Sequence, residues 1–205
     1  MTVRLRRFLA ISLFYQAVLL SGCGGGDDHN PGVIVSAIIT PVYNGKDTSS
    51  VDAFRDVCTN SSGAMQPEFF ADHTANASIF ARLINSNDFS QLTVHIDGYT
   101  IDYISSADSP GAPSIQPDTR ADTIVFEVSS QIQVLAATDT VELADLVRKN
   151  KYMEDLVTSP IQPNNYTVTY TFRGHSGNGE AFTFTSRTNI QIADFNYCPS
   201  GFLPS

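Results

Sequence analysis

The clearest periodicity in the chain lies towards its C-terminal end, where Tyr166, Val168, Tyr170 and Phe172 alternate with threonines and Arg173. After a short break Phe182, Phe184, Thr188, Ile190 and Ile192 alternate in the same way. A period of two belongs to a strand with one buried and one wetted face. The two segments therefore predict long antiparallel strands. They are joined through Gly174-His175-Ser176-Gly177-Asn178-Gly179, whose composition suits the positive backbone dihedrals of a turn. Ala75, Ala77, Ile79, Ala81 and Leu83 show the same alternation apart from Phe80, as do Ile124, Phe126 and Val128, with a continuation around Ile132 and Val134. Val33 to Tyr43 is rich in Val, Ile and Pro and reads as a first strand. Pro41 places it at a sheet edge, because proline brings no amide to a ladder.

Between these segments the pattern changes phase. Val94 and Ile96 have one parity and Tyr99, Ile101 and Tyr103 the other, so one extra residue at Asp97-Gly98 puts both sets on a single face and predicts a β-bulge. Pro110, Pro113 and Pro117 mark the stretch from Ser105 to Arg120 as a long surface loop. From Asp139 the period becomes mostly helical, through Leu143, Leu146, Val147, Met153, Leu156 and Val157. Asp139 lies three residues before Glu142 in a capping-box arrangement, which predicts a short helix starting near Thr140, ended by Pro160 and Pro163. A resemblance to immunoglobulin-like chains, which often have a strand with a helical turn in this region, implies Val141 and Leu143 as strand residues instead.

The alternation of strands and turns from about residue 75 to about 195 resembles, in layout, immunoglobulin-like and fibronectin type III β-sandwiches. The resemblance implies a single antiparallel β-sandwich over residues 33–205, all-β with one short helix. It rests on no family-specific residue. The chain has no tryptophan, so the core tryptophan of antibody domains is missing, and the label is architectural.

The N-terminal pattern is of another kind. Arg4, Arg6 and Arg7 precede an apolar run from Phe8 to Leu20, and small residues lead from there into Cys23. That is the layout of a secretory signal, and about thirteen residues is short of the roughly 20 that a bilayer-spanning helix needs. Leu20-Ser21-Gly22-Cys23 resembles the lipobox of bacterial lipoproteins, an aliphatic residue, two small ones and a cysteine. The resemblance implies diacylation of the Cys23 thiol and cleavage before it, which makes residues 1–22 a signal peptide. Residues 23–32 follow as lipidated cysteine and flexible linker, Gly-rich and without an apolar side chain to pack. Gly24, rather than an aspartate, directly after the cysteine implies the outer membrane of a Gram-negative envelope.

With Cys23 assigned to lipid, Cys58 and Cys198 are the two cysteines left, and in an exported chain such a pair is expected to form a disulfide. A metal site would need more ligands than Asp56-Val57-Cys58 and Tyr197-Cys198-Pro199 supply; two free thiols are the remaining alternative. Loss of the signal removes three of the 12 basic residues and none of the 21 acidic ones, leaving a net charge of −12. So acidic a chain has no footprint for nucleic acid or for anionic lipid headgroups. Membrane contact is then expected through the lipid alone.

Motifs for chemistry are sparse. Gly174-His175-Ser176-Gly177 resembles part of a nucleophile elbow, but Asn178 stands where the closing glycine belongs, and an elbow joins a strand to a helix. His29, His73, His95 and His175 lack the spacing that sets two imidazoles on one helix face. Asp97 and Asp102 carry carboxylates on the bulged strand, and Asp108, Asp118 and Asp122 lie in or beside the proline-rich loop without the ordered spacing of a calcium loop. Three glycosylation sequons, at Asn60, Asn76 and Asn165, are set aside in a chain with a bacterial lipobox.

No motif implies a cofactor. The expectation is a noncatalytic binding or scaffolding module on a lipid tether, meeting other envelope or surface proteins. A surface adhesin or carbohydrate-binding module, for which Tyr99, Tyr103, Tyr166 and Tyr170 would have to be partly exposed, is the first alternative. A hydrolase with a noncontiguous site is the second. If Cys23 is the anchor, Cys23→Ser in the native host releases the domain from membrane fractions or traps the uncleaved precursor; a variant still processed and still sedimenting with membranes refutes the assignment.

Overall fold

In the computed structural model the described residues are 32–204, less 44, 54–55, 70–72, 85–90, 130–134, 137–140 and 148–162. They form an all-β, sandwich-like arrangement of antiparallel sheets, with no helix among the described residues. The strands are β1 (Val33–Tyr43), β2 (Lys46–Asp47), β3 (Ser50–Asp52), β4 (Val57–Asn60), β5 (Met65–Pro67), β6 (His73–Leu83) and β7 (Gln91–Ser105). They continue as β8 (Asp118–Arg120), β9 (Ile124–Ser129), β10 (Leu135–Ala136), β11 (Val141–Val147), β12 (Asn164–Ser176), β13 (Ala181–Ala193) and β14 (Phe202–Pro204). One sheet runs β10-β6-β1-β2 with β11 also on β6; the larger runs β3-β13-β12-β7-β8 with β9 also on β7; β14-β4-β5 form a small third sheet.

The alternating segments become strands where the pattern predicts them. Val33–Tyr43 is β1, paired along β6 on one side and touched by β2 on the other only at Val42 and Tyr43. Pro41 follows directly along this second side, where its carbonyl accepts the Thr48 N–H at 2.9 Å. The C-terminal hairpin is β12 and β13, with Tyr166, Val168, Tyr170 and Phe172 buried on one face. The turn is tighter than its composition implied, because Gly174, His175 and Ser176 still belong to β12. Gly174 is there to let strands approach, since a Cβ on it would lie 2.1 Å from the His95 carbonyl oxygen.

The bulge also forms at the expected place. Arg173 opposes Gly98 while Gly174 opposes Ile96, so Asp97 is the extra residue. Gly98 has φ +155°, and a Cβ on it would meet the Arg120 carbonyl oxygen at 2.4 Å, so glycine is required there. With the phase corrected, Val94, Ile96, Tyr99 and Ile101 all face inward. The proline-rich stretch is a loop that adds β8 to β7 at its end and sends Ile115 into the core.

One expectation is corrected. The short helix near Thr140 is replaced over Val141–Val147 by β11, which opposes β6 at Val141–Ala77, Leu143–Ala75 and Val147–His73. Four residues of β11 span two of β6 between the last two pairs, and this irregularity lets helix-like apolar spacing ride on a strand. Pairing to β6 outweighs the local preference. Thr140 itself and residues 148–162 are outside the described residues. Ile132 and Val134, around which the strand of Ile124, Phe126 and Val128 is expected to continue, lie outside the described residues; Leu135–Ala136 pairs with β6 in the other sheet.

The main core cluster joins Ile39, Ala77 and Ile79 from one sheet to Ile101, Val168, Tyr170, Phe172 and Ile190 from the other. Ser186 Oγ donates to the Ala37 carbonyl at 2.8 Å and ties the adjoining sheet edges together. Within this core the Tyr170 hydroxyl is buried with no hydrogen-bond partner among the described residues, and burial first, then Tyr103 and Tyr99, pushes its pKa far up. Among the described residues nothing offsets the desolvation cost of that hydroxyl.

The C-terminal segment is strapped down by several independent contacts. Cys58 and Cys198 form the disulfide expected for the pair, across 140 residues, a loop whose chain-entropy effect is about 5 kcal/mol. Asp52 and Glu68 are both buried, and each carboxylate accepts backbone amides: Phe195 N–H to Asp52 Oδ1 at 3.2 Å, Asp56 N–H to Glu68 Oε2 at 3.2 Å, and Tyr197 N–H to Glu68 Oε1. Charge-assisted bonds of this kind make a buried carboxylate tolerable. Asp194 at the margin is raised above the usual carboxylate range by burial and then by the charges of Asp56 and Glu68.

Two outcomes follow from these sites. Tyr170→Phe removes the unsatisfied hydroxyl while keeping the ring, and is expected to stabilise the domain by about 1 kcal/mol in thermal unfolding; a loss of stability would show that the hydroxyl is bonded. The folded protein binds the Asp194 proton more tightly than the unfolded chain, so this group removes stability as pH rises through the carboxylate range. Asp194→Asn is therefore expected to raise Tm at pH 7, with the difference fading as pH falls below that range.

Candidate functional site

Because β12 is paired on both sides, the polar half of its alternation is spread into a surface. Thr171 lies opposite Thr185 on β13 and Thr100 on β7, and Thr100 in turn opposite Thr119 on β8. The outer face of the larger sheet is thus a broad polar surface with interspersed charge from Arg173, Arg187 and Asp102.

At one end of this face lies an open cleft of about 460 Å³. Its floor is two cross-strand pairs, Asn165–Gln191 and Thr167–Asn189. One wall is Ser49, held where the Gln191 N–H donates to its carbonyl at 2.9 Å. The opposite wall is Ser106 and Asp108 at the start of the proline-rich loop, where Ser106 N–H donates to the Asn165 carbonyl at 2.8 Å. Asn165 N–H donates to Ser109 Oγ at 2.9 Å, and the Tyr166 hydroxyl to the Pro113 carbonyl at 2.8 Å, so the loop is fastened to the strand beneath it.

Several groups in the cleft are pre-set. Thr167 Oγ1 donates to Asn189 Oδ1 at 3.0 Å, which leaves the Asn189 amide hydrogens as donors. Ser106 Oγ donates to Asp108 Oδ1, and this bond, with one from the Asp108 backbone, holds the carboxyl below the usual range and hence ionised. The side-chain amides of Asn165 and Gln191 make no hydrogen bond among the described residues. Ile104, 62% exposed, lies opposite Thr167 on β7 and sets one aliphatic surface beside this polar ground.

The histidines are arranged in a way their spacing does not reveal. His95 and His175 are register partners on β7 and β12, and their rings stack with centroids 4.5 Å apart and planes 3° from parallel. Asp97 Oδ2 is 3.0 Å from His175 Nδ1. Imidazole lone pairs lie in the ring plane, so parallel rings aim them side by side rather than at one point. Among the described residues no group of three His, Cys, Asp or Glu side chains is placed to hold a metal ion. His73 is buried and stacked on Tyr43 at 4.1 Å. His29 lies outside the described residues, as does Cys23.

The remaining sequence candidates are dispersed. Tyr99, Tyr166 and Tyr170 are 2%, 1% and 0% exposed and Tyr103 packs partly against the core, so these four rings form no aromatic platform. Their inward parity, plain in the alternation, is the reason. Ser176 is buried at the hairpin tip, bonded to Asn178 Oδ1 and to the Glu180 carbonyl at 3.2 Å, so Gly174-His175-Ser176-Gly177 is no nucleophile elbow. Asp97 is partnered by His175 rather than by a second carboxylate, Asp102 faces Thr169, and Asp118 pairs with Arg120 at 2.7 Å. Asp108 alone of the loop carboxylates lines the cleft, and Asp122 does not join it.

The cleft residues escaped the reading of the sequence because they are drawn from positions 49 to 191. Each is an ordinary polar residue in its own segment. The available signal was the polar half of the alternation around Asn165 and Thr167, which shows a wetted face and not what walls stand around it. The chain matches no family model, no curated protein and no solved structure.

Proposed function

We propose that this protein is a noncatalytic binding module of the bacterial cell envelope, anchored by lipid on Cys23, with the outer membrane its seat, and presenting the outer face of its larger sheet to a partner. The observation that carries the reading is the cleft at the end of that face. Thr167 fixes Asn189, Ser106 fixes Asp108, and the strands beneath are held by pairing, so much of the site is pre-set as recognition requires. Apart from the buried Ile190, the described residues that line it carry amides, hydroxyls and the one carboxylate of Asp108, a set that suits holding a ligand. The lipobox-like Leu20-Ser21-Gly22-Cys23 and the Gly-rich residues after it support the tether. An acidic domain on such a tether stands off an anionic membrane surface, which leaves the face accessible.

Photocrosslinking on whole cells tests this. A photoreactive residue replacing Arg187, next to Asn189 on the outer face, is expected to give a discrete, reproducible adduct with an envelope component, protein or glycan. One replacing Ile38, on the outer face of the other sheet, is expected to give none. Absence of an adduct at Arg187, or identical adducts at both positions, sinks the proposal.

A further inference from the structure

From the chemistry of the cleft we infer that its ligand is a neutral saccharide, an inference that rests on the binding-module reading and names the ligand class of the same site. Among the described residues no lysine, arginine or histidine lines the cleft, and its charged member is the ionised Asp108. A phosphate, sulfate or carboxylate ligand would find no cation there and would meet a like charge. The floor is polar, so a lipid chain or other apolar ligand would desolvate Asn165, Thr167, Asn189 and Gln191 without return.

What remains is a ligand that is neutral and carries donors and acceptors closely spaced on one side. Asn165 and Gln191 face each other across β12 and β13 with their side-chain amides unbonded among the described residues, and each can donate and accept at once. Asn189, with its oxygen occupied by Thr167, presents donors; Asp108, with one oxygen occupied by Ser106, presents an acceptor. Vicinal hydroxyls, each both donor and acceptor, match such a set. The C–H face of the same ring needs an apolar neighbour, and Ile104 stands 62% exposed beside Thr167.

The openness of the site agrees with this chemistry. At about 460 Å³ the cleft has the size of a small-ligand site, yet it is an open trough on a sheet face rather than an enclosed pocket. A sugar unit within a longer chain could lie in it with its remaining hydroxyls in water. Recognition here differs from stacking on Tyr99, Tyr166 or Tyr170, which their burial rules out.

The test uses the full-length protein in a sugar-free zwitterionic detergent, with isoleucine methyl groups isotopically labelled. Cellotriose, maltotriose and chitotriose are titrated separately, with glycerol phosphate as the anionic comparison. At least one trisaccharide is expected to shift the Ile104 methyl resonance saturably while leaving that of Ile38 in place, and glycerol phosphate is expected to shift neither. Asn189→Ala and Gln191→Ala should each weaken that binding about three- to tenfold, the effect of one neutral hydrogen bond, whereas Thr183→Ala on the same face should leave it unchanged. The inference is overturned if none of the three sugars shifts Ile104 in a folded spectrum, if glycerol phosphate binds in their place, or if both cleft variants bind as well as wild type. A discrete protein adduct at Arg187 together with any of those results would leave the binding-module reading standing without a saccharide; no adduct at all would remove both.

Discussion

The pairing of β12 with a neighbour on each side is the constraint from which the rest of the molecule follows. Along nearly its whole length β12 is bonded to β13 on one side and to β7 on the other. Register in such a strand is strongly specified, because a slip of one residue would turn Tyr166, Val168, Tyr170 and Phe172 to solvent and bury the threonines between them. The bulge at Asp97 maintains this pairing across the phase change in β7. Without the extra residue, Val94 and Ile96 could not share a face with Tyr99 and Ile101. Gly98 and Gly174 flank that irregularity, and each is excluded from carrying a side chain by a carbonyl oxygen on the neighbouring strand.

One alternating strand thereby produces two surfaces with different roles. Its inward half supplies much of the aromatic core, with Phe172 packed between Tyr99 and Phe184 at centroid separations of 5.7 and 4.8 Å. Its outward half, extended by the equivalent residues of β7 and β13, becomes the polar face on which the cleft lies. The cleft is consequently as rigid as the sheet beneath it. Its walls are added by segments that bond to the same strands, Ser49 through Gln191 and Ser106 through Asn165.

Away from this face, acidic residues serve the architecture. Asp52 and Glu68 are buried because they bind backbone amides of the segment that leads to Cys198, so hydrogen bonds and a disulfide fasten the same strap. Two kinds of fastening in one corner explain how a C-terminal segment with little regular structure stays folded onto the domain. The lining of the cleft, by contrast, has a single carboxylate in a chain with 21 acidic residues. That contrast gives the cleft a local chemistry unlike the net charge of the protein.

The period-two alternations were sufficient by themselves for the all-β class, for β6, β9, β12 and β13, and for the bulge in β7, because a half-buried strand writes its two faces directly into successive residues; composition marked β1. Cysteine counting was enough for the Cys58–Cys198 bridge once Cys23 was set aside for lipid. Where a segment's local pattern was ambiguous, as at Val141 to Val147, only the partner strand decided, since β6 offers bonds that a short helix could not match. The stacking of His95 on His175, the burial of Asp52 and Glu68, and the assembly of Ser49, Asp108, Asn165 and Asn189 around one cleft were likewise settled by tertiary structure alone. The physical reason is the same in each case: alternation specifies which way a side chain faces, whereas which residues meet depends on register and strand order, and these are determined by pairing between segments far apart in the chain.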